Sequence, residues 1–124
     1  MDSMGTLGVD RTRADVGVFK LAGDFDMANA GELEAALSEC LREQRGIVLD
    51  LSDATFIDSS IIHVFIRTQR ALVDQGRELV LCVRTASIVL RTLEVALPKF
   101  IAITPDRDEA VTIATGFTEA ACQT

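Results

Sequence analysis

The segment from Ile47 to Ile66 constrains the fold more than any other part of the chain. Its first five residues, Ile47–Leu51, are apolar except for Asp50 and rich in β-branched side chains, a pattern typical of a buried strand. A short polar turn follows, and Asp58-Ser59-Ser60 then opens an apolar segment whose spacing is near 3.6 residues. The sequence therefore predicts a strand, a turn and a helix from about Ser60 to Gln75, with the Asp-Ser-Ser triplet at the surface.

The rest of the chain continues this alternation of strand and helix patterns. We expect a single α/β domain in which an N-terminal hairpin and following βαβ units form a mixed central sheet packed with about four helices. Asn29 with Glu32, and Asp106 with Glu109, are expected to cap two of the helices. The further predicted strands are Thr6–Arg11, Val16–Leu21, Leu79–Val83 and Phe100–Ile103, and the further helices are Ala30–Glu43, Ala86–Ala96 and one that begins at Asp106.

Size and charge limit the classes of function. A chain of 124 residues suits one domain, which we place at residues 6–121, with residues 1–5 flexible. The net charge of −7 argues against nucleic acid or an anionic membrane surface as the partner. We find no signal peptide and no apolar window near the roughly 18 residues of a membrane span. No membrane insertion and a cytoplasmic location are therefore expected.

The cysteines and the single histidine do not predict a metal or cofactor site. Cys40 and Cys82 lie within apolar patterns and are expected in the core, whereas Cys122 lies in the tail as an exposed thiol. Their wide spacing predicts neither a disulfide framework nor a zinc site. His63 is expected to be a partly exposed helix residue. No nucleotide-binding or hydrolase motif occurs, so no cofactor and no enzymatic activity are expected.

The Asp-Ser-Ser triplet has two interpretations from local sequence. Aspartate and serine commonly cap helices, and that interpretation is favoured when the triplet is considered alone. A hydroxyl at a helix N-terminus also tolerates a phosphate, which adds about 1.5 to 2 negative charges. Phosphorylation there could abolish binding to a partner while leaving the fold intact.

Two motifs connect the triplet with a known family. Phe56-Ile57-Asp58-Ser59-Ser60, preceded by Val48-Leu49-Asp50-Leu51, resembles the segment F-[MIL]-D-S-[ST]-G-[LIV] of the STAS domain, in particular of bacterial anti-sigma factor antagonists. Upstream, Leu21-Ala22-Gly23-Asp24-Phe25-Asp26 resembles the family's L-x-G-[ED]-[LF]-D. The resemblance covers roughly Val16 to Ala121 and implies the STAS fold.

The resemblance also implies a switching role. In this family the unphosphorylated antagonist binds an anti-sigma factor that is a serine kinase, phosphorylation of the first serine releases it, and a phosphatase resets it. The position carried over for phosphorylation is Ser59. The partner-contact positions carried over are Asp24, Asp26, Asp58, Ser60, Ile61 and Ile62. The oligomeric state stays open, and a homodimer is one option.

Two alternatives remain from the sequence. Ile61 stands where the family has glycine, which favours a STAS regulatory or structural subunit that is never phosphorylated, for example of a lipid ABC transporter. A small hydrolase with Ser59 as nucleophile is disfavoured because no general base is visible.

Overall fold

The structure is a computed structural model that describes residues 5–10, 15–43, 45–97 and 101–123, and only the backbone of residues 116–123. It contains five strands and four helices in these ranges. In chain order they are β1 Thr6–Asp10, β2 Val16–Phe25, α1 Met27–Arg42, β3 Gly46–Ile57, α2 Ser59–Asp74, β4 Leu79–Cys82, α3 Ile88–Ala96, β5 Ala102–Thr104 and α4 Arg107–Gln123.

The strands form one sheet in the order β1-β2-β3-β4-β5. β1 pairs antiparallel with β2, and every later neighbour is parallel, with a helix as each crossover. The predicted mixed α/β fold is therefore confirmed. The predicted strands Ile47–Leu51 and Leu79–Val83 are both buried and lie side by side, with Ile47 opposite Leu79 and Asp50 opposite Cys82.

Helices cover both faces of the sheet. α1, α2 and α3 pack on one face in a large apolar cluster that includes Leu37, Phe65 and Leu93. α4 covers the other face, where Ala110 and Ala114 pack against the valines of the central strands. Successive right-handed crossovers place the first three helices on the same face. The central strands are consequently buried on both sides, which accounts for their largely apolar sequence.

Two strands are longer than predicted. β3 continues through the segment that we expected to be a polar turn, and β2 continues to Phe25 instead of ending at Leu21. Beyond Asp50, β3 has no residue paired with β4 and pairs only with β2, so polar side chains are tolerated there. Gly23, with φ of 87°, lies at an irregularity of this pairing and adopts a conformation that favours glycine.

Two capping predictions need correction. Asp26, not Asn29, caps α1: its carboxylate accepts a bond from the Ala28 amide at 2.9 Å, and Asn29 is the return partner. The extension of β2 to Phe25 brings the helix start forward to Met27. At the start of α4, the expected cap Asp106 accepts a hydrogen bond from the Asp108 amide. The Glu109 carboxylate accepts a hydrogen bond from the Thr104 hydroxyl instead of from the Asp106 amide.

Several predictions fall partly outside the described residues. These are the flexible start of the chain, except Gly5, the end of the first strand at Arg11, most of the hairpin turn, Phe100 and the side chain of Cys122. Within the described part, no helix is long and apolar enough to cross a membrane. Cys40 and Cys82 are both buried, as predicted.

Candidate functional site

The junction between β3 and α2 is organised by Asp58. Its backbone is extended, with φ of −115° and ψ of −174°, and its carboxylate caps α2. One carboxylate oxygen accepts bonds from the Ser60 amide at 3.0 Å, the Ile61 amide at 3.3 Å and the Ser60 hydroxyl at 2.6 Å. The capping prediction for this triplet is confirmed, and the cap fixes the direction in which the next residues leave the sheet.

These bonds also keep Asp58 charged. Partial burial alone would raise the pKa of Asp58, because it disfavours the charged carboxylate. The bonds donated by the Ser60 hydroxyl and by the amides of Ile61, Ser60 and Met27 outweigh that effect, so the pKa of Asp58 lies below its ordinary value of 3.8. Phe25 pairs with Ile57, so the residues that begin α1 lie close to those that begin α2.

The two serines of the triplet have different environments. Ser60 is half-buried, and its hydroxyl donates to Asp58. Ser59 is the first residue of α2 and is exposed, and among the described residues none forms a hydrogen bond with its hydroxyl. The first turn of α2 contains no acidic residue. Ser59 thus offers an accessible hydroxyl at a helix end that favours negative charge.

The carboxyl end of β2 lies beside this junction. Asp24 pairs in register with Phe56, and its carboxylate accepts a bond from the Thr55 hydroxyl at 2.5 Å. Asp26 is occupied as the cap of α1 and is half-buried. The structure therefore brings Asp24 and Asp26 close to the Asp-Ser-Ser segment, and each already has a structural role.

Ile61 and Ile62 point away from this surface. Both side chains are buried in the core, and Ile61 has an exposed fraction of 0%. In this conformation neither side chain is available to a partner, so we do not retain them as contact residues. Helical geometry explains the result, because the third and fourth residues of α2 face the sheet while its first residue faces solvent.

Two exposed apolar side chains flank the junction and were not selected from the sequence. Phe56, two residues before Asp58, is 48% exposed, and Met27, the first residue of α1, is 77% exposed. The sequence motif contains Phe56 but does not predict it as a contact residue, and no motif includes Met27. No sequence pattern distinguishes these two residues, because Phe25 and Ile57, which directly precede the capping aspartates, are buried.

No catalytic arrangement accompanies Ser59 in the described part of the chain. His63, one turn further along α2, is exposed and forms no hydrogen bond with Asp58, whose carboxylate is already occupied by the cap. Within the same ranges, no group of three or more His, Cys, Asp or Glu side chains could hold a metal ion. Arg67 pairs with Glu34 of α1 at 2.9 Å, which ties the two helices together on the exposed side.

A model of the STAS domain family matches residues 9–110. The chain belongs to the STAS domain family. The match includes both motifs and every strand except the start of β1. Among curated proteins, no sequence matches this chain.

Solved STAS structures share the fold at low sequence identity. An anti-sigma factor antagonist from Mycobacterium paratuberculosis is 23% identical, with a TM-score of 0.78 over 92% of this chain and 97% of its own. The anti-sigma factor antagonist SpoIIAA in its unphosphorylated form is 17% identical, with a TM-score of 0.68 over 86% of this chain and 94% of its own. The phosphorylated form of Bacillus SpoIIAA is 16% identical, with a TM-score of 0.64 over 86% of this chain and 96% of its own.

Proposed function

We propose that this protein is an anti-sigma factor antagonist that works by partner switching. The unphosphorylated protein binds an anti-sigma factor with serine kinase activity in the cytoplasm and so frees a sigma factor for transcription. Phosphorylation of Ser59 releases the antagonist, and a phosphatase restores it. In this scheme the protein is a phosphoryl acceptor without catalysis of its own.

The observation that carries the proposal is the difference between the two serines. Ser60 is held by Asp58 at 2.6 Å, whereas the Ser59 hydroxyl is exposed and forms no bond with a described residue. A kinase that reaches this segment therefore meets Ser59 first. The shared fold with a protein solved in phosphorylated and unphosphorylated forms agrees with this scheme.

A phosphate at Ser59 would change binding without disturbing the fold. It would add about 1.5 to 2 negative charges next to the exposed Phe56 and Met27 side chains, which we assign to the partner contact with Asp24. The amide dipoles at the start of α2 favour that charge, so the helix remains stable. The apolar contact, by contrast, would have to desolvate the phosphate and would therefore weaken.

The alternative of a STAS subunit that is never phosphorylated rested on Ile61 in place of glycine. Its side chain is buried in the core and does not cover the Ser59 hydroxyl. The isoleucine at position 61 therefore does not restrict the access of a kinase to Ser59.

The experiment is a binding titration against the cognate anti-sigma factor. Ser59→Ala is expected to bind like wild type, because the capping bonds of Asp58 do not involve the Ser59 hydroxyl. Ser59→Asp is expected to bind at least about tenfold more weakly, because it places a charge in the contact. Ser60→Ala is the matched control and should change the affinity less than Ser59→Asp. Equal affinities for Ser59→Asp and wild type would contradict the switch.

A further inference from the structure

The carboxyl end of β3 has a free edge. The pairing of β3 with β4 ends where Asp50 lies opposite Cys82, and β3 continues beyond that point with β2 as its partner strand. Among the described residues, no backbone hydrogen bond joins Ser52–Thr55 to the segment Arg84–Ser87 between β4 and α3. A strand directs its backbone groups to both sides, so those of Ser52–Thr55 that point away from β2 have no strand partner.

This edge lines a groove of about 700 Å³. The lining consists of Ser52–Thr55, Arg84–Ser87 and Pro105. At about 3.3 Å per residue, the four strand residues span about 13 Å, which matches an extended segment of about four residues. The groove therefore has the length and the chemistry to accept one short added strand.

Most hydroxyl groups of the groove are already engaged within the protein. The Ser52 hydroxyl donates to Asp50 at 2.6 Å, and the Thr55 hydroxyl donates to Asp24 at 2.5 Å. The Ser87 hydroxyl accepts a bond at 3.0 Å from an amide of α3. A small hydroxylated ligand would have to compete with these bonds. The free backbone groups of β3 have no such competitor, and their natural complement is the backbone of an extended peptide.

One charge of the groove has no ion-pair partner. Arg84 is exposed, and its side chain forms no ion pair or hydrogen bond with a described residue. It acts on Asp53 only from beyond ion-pair distance, and Asp53 is itself paired with Lys20 at 2.9 Å. The unpaired charge of the groove is thus positive, which favours an acidic side chain on the peptide that enters it.

The groove adjoins the surface that we assign to the partner contact. Thr55 lines the groove, and the next residue, Phe56, belongs to that surface. We propose that the anti-sigma factor adds a short extended segment as a strand along Ser52–Thr55, with an acidic side chain of that segment next to Arg84. This inference rests on the proposed function and adds to it the way in which the partner binds.

Amide hydrogen exchange of the full chain, with and without the cognate anti-sigma factor, tests the added strand. Mass spectrometry of overlapping peptic fragments isolates residues 52–55. The amides that point into the groove should exchange at least about tenfold more slowly in the complex, because the added strand accepts hydrogen bonds from them. Thr6–Asp10 is the matched control, since β1 also lies at an edge of the sheet, and its exchange should stay unchanged.

Arg84→Glu tests the charge. It should raise the Kd for the anti-sigma factor at least about tenfold in calorimetric titration, because it places two negative charges together. Arg70→Glu, at an exposed arginine of α2, is the matched control and should change the Kd much less. Circular dichroism of both variants checks that the fold is intact.

Each contrary result has a distinct meaning. An anti-sigma factor that binds and is released by phosphorylation of Ser59, without slowing exchange in residues 52–55, would overturn the added strand and leave the switch intact. Equal Kd values for Arg84→Glu and wild type would overturn the charge pair. Slower exchange of these residues in the free protein at high than at low concentration would assign the edge to a second copy of this chain and overturn the proposal. A chain that does not bind the anti-sigma factor at all would overturn the proposal together with the proposed function.

Discussion

Replacing Asp58 with alanine should destabilise the protein by about 2 kcal/mol at neutral pH. The substitution removes the acceptor of three bonds, from two amides of α2 and from the Ser60 hydroxyl. Loss of an N-cap costs about 1 kcal/mol on average, and charge-assisted bonds are stronger than neutral ones. The half-buried Ser60 hydroxyl also loses its partner, which adds to the cost.

Urea denaturation followed by circular dichroism measures this loss. With a urea m-value of about 1–3 kcal/mol/M, a loss of about 2 kcal/mol in the free energy of unfolding lowers the urea midpoint by about 1 M. Asp74→Ala is the matched control, because Asp74 is the exposed last residue of the same helix and should change stability by no more than about 0.5 kcal/mol. A midpoint of Asp58→Ala equal to that of wild type would refute the assignment of Asp58 as the organiser of the junction.

The difference in urea midpoint between wild type and Asp58→Ala should also depend on pH. The folded-state pKa of Asp58 is below its ordinary value of 3.8, so its contribution is complete above pH 3.8 and is lost as the pH falls through the lower folded pKa. The midpoints of wild type and Asp58→Ala should therefore converge as the solution is acidified below that value. A difference that stays constant through this range would show that the carboxylate charge is not the cause.

Three further outcomes follow from the same structure. Gly23→Ala should cost about 1–2 kcal/mol in thermal unfolding, because φ of 87° is unfavourable for alanine, and an unchanged melting temperature would contradict this. Phe56→Ser should weaken binding to the anti-sigma factor about tenfold in calorimetric titration, whereas the exposed control Val73→Ser should not, and equal losses would remove Phe56 from the contact. Cys40 and Cys82 belong to clusters on opposite faces of the sheet, so air oxidation should yield no peptide linking them in mass spectrometry.

The central strands were predictable because burial on both faces leaves a simple signal. Leu79–Val83 is a continuous apolar run and Ile47–Leu51 is apolar except for Asp50, and the structure pairs them as neighbours. The extension of β3 beyond Leu51 was missed because its polar residues pair with β2 alone and follow no apolar period. Sequence patterns report burial, so a strand that leaves the core loses its signal.

The site was predictable in position but not in detail. The Asp-Ser-Ser triplet could be placed at the amino end of a helix, and it lies there. Which serine is free depends on a hydroxyl rotating toward Asp58, and no sequence pattern encodes that choice. The same limit applies to α1, where Asp26 and Asn29 are both good caps, and the end of β2 decides between them.

The central claim is that Ser59 is the residue at which binding is switched. Its most direct test is mass spectrometry of the protein after incubation with its cognate anti-sigma factor and ATP, with Ser59→Ala and Ser60→Ala treated in the same way. We expect a single phosphate on Ser59 in wild type and in Ser60→Ala, and none in Ser59→Ala. A phosphate on Ser60, or tight binding of a wild type that is never phosphorylated, would contradict the account.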